Sequence, residues 1–255
     1  MDQQAHISHR ICEKVNPYLT RYFGKPLKQI QVVEYPKCGG TWLARMLRSY
    51  LGVERKHGTT HLPKHYSVYQ THLLHNTQYY RNIALLRDPR DVWVSFYFHE
   101  RYLSKESIFG FKDTASHPEN MLAYMKHKLA RADETTPGFT YTAFVNSWQN
   151  KAETCWVRYE EMHQNPVAAL SKALQSLGLE PDQPRVEAAV KEHEFKNITG
   201  RKIGEEDVSS HKRKGIVGDW KNYFNQEMAQ LVHHEQPLLY QLGYEKDSTW
   251  LDHLG

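Results

Sequence analysis

The chain has 255 residues and a mass of 30.0 kDa, enough for a single domain that buries roughly 70–75% of its unfolded surface. Apolar residues make up 40%, charged residues make up 24%, and the mean hydropathy is -0.73. No stretch reaches the ~18 apolar residues of a membrane span, and the first residues show no signal pattern. Three cysteines, Cys12, Cys38 and Cys155, exclude a fully paired disulfide scaffold and favour a reducing, cytoplasmic location. The net charge of +4 suits an anionic ligand but does not argue for nucleic acid.

The hydrophobic pattern predicts strands that alternate with helices in one compact domain over residues 1–255. A polar helix is predicted over 5–23, and the last clear helix over about 225–242. Strands are predicted at 30–35, 66–72, 82–86 and 154–159, with helices over 41–48, from Asp88 and Pro89, and from about Pro166. Residues 104–138 are polar and mixed and are expected to form part of a lid. This alternation predicts a parallel sheet covered by helices on both faces.

The first candidate anion site is the loop 36–42, with the sequence PKCGGTW. A strand, a glycine turn and a helix N-terminus present backbone N–H groups and a positive dipole end. Lys37 adds a mobile positive charge. On its own the loop also fits an ordinary strand-to-helix turn with a surface lysine, and it lacks the Gly-Lys-Ser/Thr of a Walker A motif.

Two further stretches combine positive charge with turn residues. Arg87 stands at the carboxyl end of a predicted strand, with Ser95 in the second turn of the next helix, where ligands of open α/β sheets bind. The neighbouring Arg90 and Asp91 also fit a helix cap with a solvated charge pair. The stretch 212–221, KRKGIVGDWK, begins as a basic run, but its two glycines and Trp220 favour an ordered loop over a solvated or nucleic-acid-binding face.

Taken together, these stretches resemble the PAPS-dependent sulfotransferases of the cytosolic type, whose donor is 3′-phosphoadenosine 5′-phosphosulfate (PAPS). The resemblance runs from about residue 32 to about residue 224 and rests on three motifs in the family's order. It implies a P-loop-kinase-like α/β fold, a single domain with a parallel sheet flanked by helices. It also implies transfer of a sulfuryl group to a hydroxyl or amine acceptor, release of PAP, and no metal.

The resemblance assigns roles to individual residues. The residues implied at the 5′-phosphosulfate are Lys37, Cys38, Gly39, Gly40 and Thr41, with Trp42 and Tyr159 at the adenine. Those implied at the 3′-phosphate are Arg87, Ser95, Arg213, Lys214 and Gly215. Lys37 and Ser95 are also candidate catalytic residues. Without the motifs, Trp42 and Tyr159 also fit ordinary core positions.

Sulfuryl transfer to a hydroxyl needs a general base, and histidine suits this role near pH 7. His72, at the end of the second predicted strand, resembles the histidine of the family's Lys-Thr-His and is the preferred base. His61, in a predicted loop, is the alternative. The chain departs from the family pattern at Cys38 (usually Ser), at Gln70 (Lys), at His193 (Thr or Ser), and at Asn225, Gln226 and Gln230, where the family's dimerisation motif has Thr, Val and Glu.

Three other functions fit parts of the sequence. A nucleotide kinase or NTPase shares the sheet and the anion loop but needs the missing Gly-Lys-Ser/Thr. A metal hydrolase would rest on histidines whose spacing matches no standard pattern: His57, His61, His65, His72 and His75. A nucleic-acid-binding module would rest on one short basic patch, 211–214. The acceptor pocket is expected after His72 and in residues 96–145, whose composition suits a phenol, a flat ring or a sugar equally.

Overall fold

The computed structural model describes residues 29–53, 67–75, 81–103, 118–131, 137–151, 154–232 and 236–254. The predicted helix over 5–23, the alternative base His61 and much of the proposed lid segment lie outside these ranges. The chain forms two compact units. The first unit holds the described residues of 29–34, 39–85 and 148–194, and the second holds those of 35–38, 86–147 and 195–254.

The first unit is built on a four-stranded sheet with the strand order β2-β1-β3-β4. The strands are β1 (Gln29–Glu34), β2 (Ser67–Thr71), β3 (Asn82–Leu86) and β4 (Thr154–Arg158). β1 pairs in parallel with both β2 and β3, which confirms the predicted parallel sheet. All residues of β1 and β3 are buried, as expected of strands covered on both faces, and in β1 these include the polar residues Gln29, Gln31 and Glu34.

Helices follow β1, β3 and β4 as predicted, whereas the described residues between β2 and β3 contain no helix. The bounds of the helices are α1 (Gly40–Leu51), α2 (Pro89–Leu103), α3 (Pro118–Ala130), α4 (Tyr141–Trp148), α5 (Tyr159–Gln164), α6 (Pro166–Ser176), α7 (Gln183–Glu192), α8 (Phe195–Thr199), α9 (Gln226–Leu231) and α10 (Gln236–Gln241). Among the described residues, 3₁₀ turns occupy Asp219–Asn222 and Ser248–His253. No helix in the described part of the chain combines the length and the apolar character needed to cross a membrane.

Two helix predictions differ from the structure. The single helix expected over 225–242 is two helices, because α9 ends at Leu231 and Pro237 lies in the first turn of α10. A proline there lacks an N–H and restricts the residue before it, so it starts a new helix instead of continuing one. The short helix α5 was not predicted, because it follows β4 at once, and its N-cap is the last residue of that strand, Arg158, which is an unusual N-cap residue.

Arg90 lies at the centre of a buried cluster in the second unit. Its side chain is 2% exposed, and it donates to both oxygens of Asp88 and to Glu245 at 2.6 Å. Its guanidinium also lies over the rings of Trp220 and Trp250, 3.7 and 4.7 Å from their centroids. The solvated charge pair that the sequence also allowed at this position is therefore wrong.

We expect Arg90→Ala to lower the free energy of unfolding by about 3–5 kcal/mol, because it leaves two carboxylates without their cation in a buried site. The control is Lys172→Ala, which removes an exposed ion pair 3.1 Å long to Glu161 and should cost at most about 0.5 kcal/mol. Urea unfolding of both variants measures the difference. A similar, small loss in the two variants would contradict a structural role for the Arg90 cluster.

Candidate functional site

The loop that follows β1 begins in the second unit with residues 35–38. Lys37 has a φ of 75°, in the left-handed region that residues with a side chain seldom occupy. The N–H of Cys38 donates to the carbonyl of Tyr35 at 3.2 Å, which closes the turn. The Cys38 side chain is fully buried. This loop therefore turns its thiol into the core and stores backbone strain at its lysine, an arrangement common at functional sites.

In the first unit, α1 begins after Gly39, which lies beside a group of aromatic rings. Gly39 is the N-cap residue with a φ of 97°, and a Cβ there would lie 2.7 Å from the ring of Tyr159. Trp42 meets Tyr159 and His163 edge-on, with centroid distances of 6.2 and 5.9 Å. The indole N–H of Trp42 is buried with no hydrogen-bond partner among the described residues. The predicted adenine residues Trp42 and Tyr159 thus share one aromatic cluster.

The amide of Gly40, in the first turn of α1, already has an acceptor. The Oε2 atom of Glu34 accepts from this N–H at 2.5 Å, and its Oε1 atom accepts from the side-chain amide of Gln70 at 2.7 Å. The hydroxyl of Thr41 donates to Gln70 at 3.0 Å, although Thr41 itself is exposed. The carboxylate at the end of β1 and the helix that follows the loop are therefore tied together in the first unit.

The predicted base, His72, directly follows β2. Its Nδ1 atom lies 3.2 Å from the backbone carbonyl of Glu34. A carbonyl can only accept, so Nδ1 carries the proton of the neutral ring and Nε2 keeps its lone pair. This tautomer is the one that a general base needs when Nε2 faces its substrate.

Arg87 connects two of the predicted motifs inside the second unit. Its guanidinium donates to the carbonyl of Lys37 at 3.1 Å and to that of Ile216 at 3.4 Å, and it lies 3.9 Å from Asp91. The Tyr141 hydroxyl donates to the Arg87 carbonyl at 2.7 Å and so holds its backbone. The loop 35–38, the end of β3 and the segment 212–218 therefore meet at this arginine.

The helix α2 contacts the segment 211–220 through Asp91 and His99. Asp91 accepts from the backbone N–H groups of Gly218 and Trp220 at 2.7 and 2.9 Å. One ring nitrogen of His99 lies 3.0 Å from one of His211. Ser95 lies midway between Asp91 and His99 at four-residue spacing, so its half-buried side chain points along the same helix face.

The cations of the third motif contact carboxylates of their own loop. Arg213 forms ion pairs with Asp219 and Glu206, and the Lys214 ammonium lies 2.9 Å from Asp219. Burial alone would raise the pKa of Asp219, but the hydrogen bonds from Arg213 and Lys214 bring it below its ordinary value. Gly215 has a φ of 64°.

A second arginine and a ring shape the backbone of this segment. Arg201 donates to the carbonyls of Glu205, Lys212 and Arg213 at 2.6–2.7 Å. A Cβ on Gly215 would lie 2.6 Å from the ring of Phe195. The backbone of the segment is therefore held from within the second unit.

Sequence reasoning missed several residues of these networks. Glu34 is the one charged residue in the run 29–35, whose other residues are apolar or uncharged. A charge at the end of a predicted strand is a signal in the sequence that could have pointed to this network. The sequence carries no local signal for the His99–His211 contact, which joins residues 112 positions apart. Of the histidines considered for a metal site, His72 and His75 are described, and no group of three or more potential ligands occurs among the described residues.

The His99–His211 pair makes stability depend on pH. Burial and the nearby charge of Lys37 lower the pKa of His99 to about 4, and the same two causes lower the pKa of His211. Between pH 6.5 and pH 4, His99 binds a proton in the unfolded chain but not in the folded chain. The free energy of unfolding therefore falls as the pH falls.

We expect His99→Gln to reduce this acid sensitivity. Between pH 7 and pH 5 the free energy of unfolding of the wild-type chain should fall by about 1 kcal/mol more than that of the variant. This difference is smaller than the full pKa shift would give, because solvent screens a half-buried ring. Urea unfolding at the two pH values measures it. Equal losses in the two proteins would show that His99 titrates alike in the folded and unfolded chains.

Comparison with solved structures supports the fold. The crystal structure of mouse sulfotransferase SULT7A1 complexed with PAP matches with a TM-score of 0.59 and 21% identity, over 84% of each chain. The structure of retinol dehydratase with retinol and PAP matches with a TM-score of 0.58 and 18% identity, over 83% of this chain and 81% of the other. At these identities the likeness establishes the fold, and it agrees with the predicted P-loop-kinase-like architecture.

Sequence relatives agree with the structures. Sulfotransferase 1E1 of Cavia porcellus is 26% identical over 56% of this chain and 48% of its own length, so the match spans about half of that relative. The 3-beta-hydroxysteroid sulfotransferase of the same species is 25% identical over 78% of each. The family model described as the sulfotransferase domain matches residues 53–235, beyond the loop 36–42. Because this match covers more than half of the chain, the chain belongs to the sulfotransferase domain family.

Proposed function

We propose that the chain transfers a sulfuryl group from PAPS to a hydroxyl or amine acceptor and releases PAP. The observation that carries the proposal is the arrangement around Arg87, whose guanidinium holds the carbonyls of Lys37 and Ile216. In a member of the sulfotransferase domain family, this brings parts of all three anion-binding motifs to one arginine. A kinase or NTPase is not favoured, because the loop 36–42 lacks Gly-Lys-Ser/Thr.

In this proposal the 3′-phosphate is bound by residues of the second unit. They are Arg87, Ser95, Arg213, Lys214 and Gly215. Two features support the assignment: Ser95 shares a helix face with Asp91 and His99, which hold the segment 211–220, and Asp219 orients both cations of that segment. Guanidinium groups bind phosphate with charge-assisted, directional hydrogen bonds, so a pre-oriented arginine costs less entropy on binding.

The 5′-phosphosulfate is assigned to Lys37, Cys38, Gly39, Gly40 and Thr41. Lys37 would neutralise the negative charge that develops on the leaving phosphate oxygen, the role that positioned cations take in phosphoryl transfer. The buried Cys38 would contribute through its backbone alone. Trp42 and Tyr159 would contact the adenine with the rings of their shared cluster.

The acceptor is proposed to be a small molecule or a carbohydrate that offers a hydroxyl group. Related proteins carry names that point to small alcohols, a 3-beta-hydroxysteroid and retinol. We also propose a cytoplasmic location and one functional domain over residues 1–255. The reduced thiols of Cys38 and Cys155 are consistent with a reducing compartment.

Labelled PAPS with a panel of phenols, flat-ring alcohols and sugars tests the proposal directly. PAP should also stabilise the chain, by about 2.7 kcal/mol at a hundred times its Kd. Arg87→Ala should weaken PAP binding about 10–100-fold but leave adenosine 5′-phosphosulfate, which lacks the 3′-phosphate, nearly unaffected. Arg185→Ala, which removes an arginine outside the motifs, is the matched control. Equal weakening of the two ligands by Arg87→Ala would refute the 3′-phosphate assignment.

His72 is proposed as the general base, supported by its fixed tautomer. His72→Asn should lower sulfuryl transfer to an unactivated alcohol by about 10²–10⁴-fold and leave PAP binding intact. A nitrophenol acceptor, which supplies its own anion, should be less sensitive to the substitution. His75→Asn, which alters a ring packed on Trp148, serves as the control. Activity retained in His72→Asn but lost in His61→Asn would move the base to His61.

A further inference from the structure

The carboxylate of Glu34 is built into the first turn of α1 in the first unit. Glu34 is 2% exposed, yet its two oxygens accept from the Gly40 amide and from Gln70. Gln70 in turn accepts from the Thr41 hydroxyl. Hydrogen bonds from two separate elements, α1 and β2, therefore orient the buried side chain of Glu34.

The residue at position 40 fits this carboxylate. Gly40 has helical backbone conformation, so its backbone does not require a glycine. A Cβ there, however, would lie 2.5 Å from the carboxyl carbon of Glu34 and 2.6 Å from its Oε1 atom. The absence of a side chain at Gly40 thus makes room for Glu34. An anionic side chain of the chain itself therefore lies directly against the first residue of α1.

We propose that Glu34 is a specificity-determining residue of the donor site, an internal anion that competes with the donor's 5′-phosphate for the N-terminus of α1. The inference rests on the proposed function, in which Gly40 and Thr41 bind that phosphate. A helix N-terminus has few N–H groups to offer, and Glu34 uses the one at Gly40. A buried negative charge beside a second anion also repels it, because like charges interact strongly where water is excluded.

This competition acts unequally on donor and product. When the sulfuryl group leaves PAPS for the acceptor oxygen, the bond between sulfur and the bridging oxygen breaks and its electron pair stays on the phosphate. The total charge of the 5′ group stays close to −2, but in PAPS it is divided between the phosphate and the sulfuryl group, whereas in PAP all of it, about −1.5 to −2 near pH 7, lies on the phosphate that the proposal places next to Glu34. Glu34 therefore weakens the binding of PAP more than that of PAPS, and so favours product release.

Calorimetric titration of Glu34→Gln with PAP and with adenosine 3′-monophosphate tests the proposal. The substitution keeps the shape of the side chain and its acceptor for Gly40 but removes the charge. We expect PAP to bind about tenfold more tightly, with adenosine 3′-monophosphate, which lacks the 5′-phosphate, unchanged within about twofold. Glu192→Gln removes a carboxylate of the same unit that bonds Ser49, and should change neither affinity.

Unchanged or weaker PAP binding by Glu34→Gln would overturn the proposal, as would equal tightening of both ligands. Glu34→Ala, also uncharged, replaces Glu34→Gln if circular dichroism shows that the latter is unfolded. The wild-type chain gives an independent measure. It should bind PAP less than tenfold more tightly than adenosine 3′-monophosphate, and a larger ratio of the two affinities would overturn the proposal. If the wild type binds neither ligand, the proposed function itself fails, a result distinct from unchanged affinity in the variant.

Discussion

Two backbone amides held by one buried carboxylate are the constraint on which the second unit depends. Asp91 accepts from Gly218 and Trp220, and it is 3.9 Å from the guanidinium of Arg87. Without this acceptor, the N–H groups of a glycine-containing segment would be buried without a partner, which costs about 1–3 kcal/mol for each group. Asp91 therefore fixes both the course of the segment and the orientation of the arginine that bonds it.

Carboxylates hold several of the positively charged or N–H-rich groups in the described part of the chain. Asp219 and Glu206 hold Arg213 in the second unit, Asp88 and Glu245 hold Arg90, and in the first unit Glu34 takes the N-terminus of α1. Burying a charged group without a partner is strongly unfavourable, because the group loses its hydration. Each of these groups therefore needs an opposite charge or a hydrogen-bond partner to stay ordered. In the proposed function, binding of the donor would be an exchange of partners, with an affinity set by how strongly the internal carboxylates compete.

The sequence predicted the parts of the fold that depend on local pattern. The apolar run of β3 was predicted with its observed ends, 82–86, because a strand buried on both faces needs such a run. The helix after Pro89 was predicted from its cap residues, and the Asp88 side chain does accept from the Arg90 amide.

Contacts between distant residues could not be predicted from local pattern. The Glu34–Gln70 bond joins residues 36 positions apart, on neighbouring strands whose register the sequence does not encode locally. Gly40 illustrates the consequence: nothing local in the sequence indicates that the carboxylate of Glu34 lies against this glycine, as it does in the structure.

Trp220 makes the position of the segment 212–221 observable by fluorescence. The indole lies against the Arg90 guanidinium and meets Trp250 edge-on at 5.7 Å, while its backbone N–H is held by Asp91. Any displacement of this segment must therefore change the polarity and charge around a strongly emitting ring. The chain thus contains an intrinsic fluorophore whose emission reports on the position of the basic loop, with no label attached.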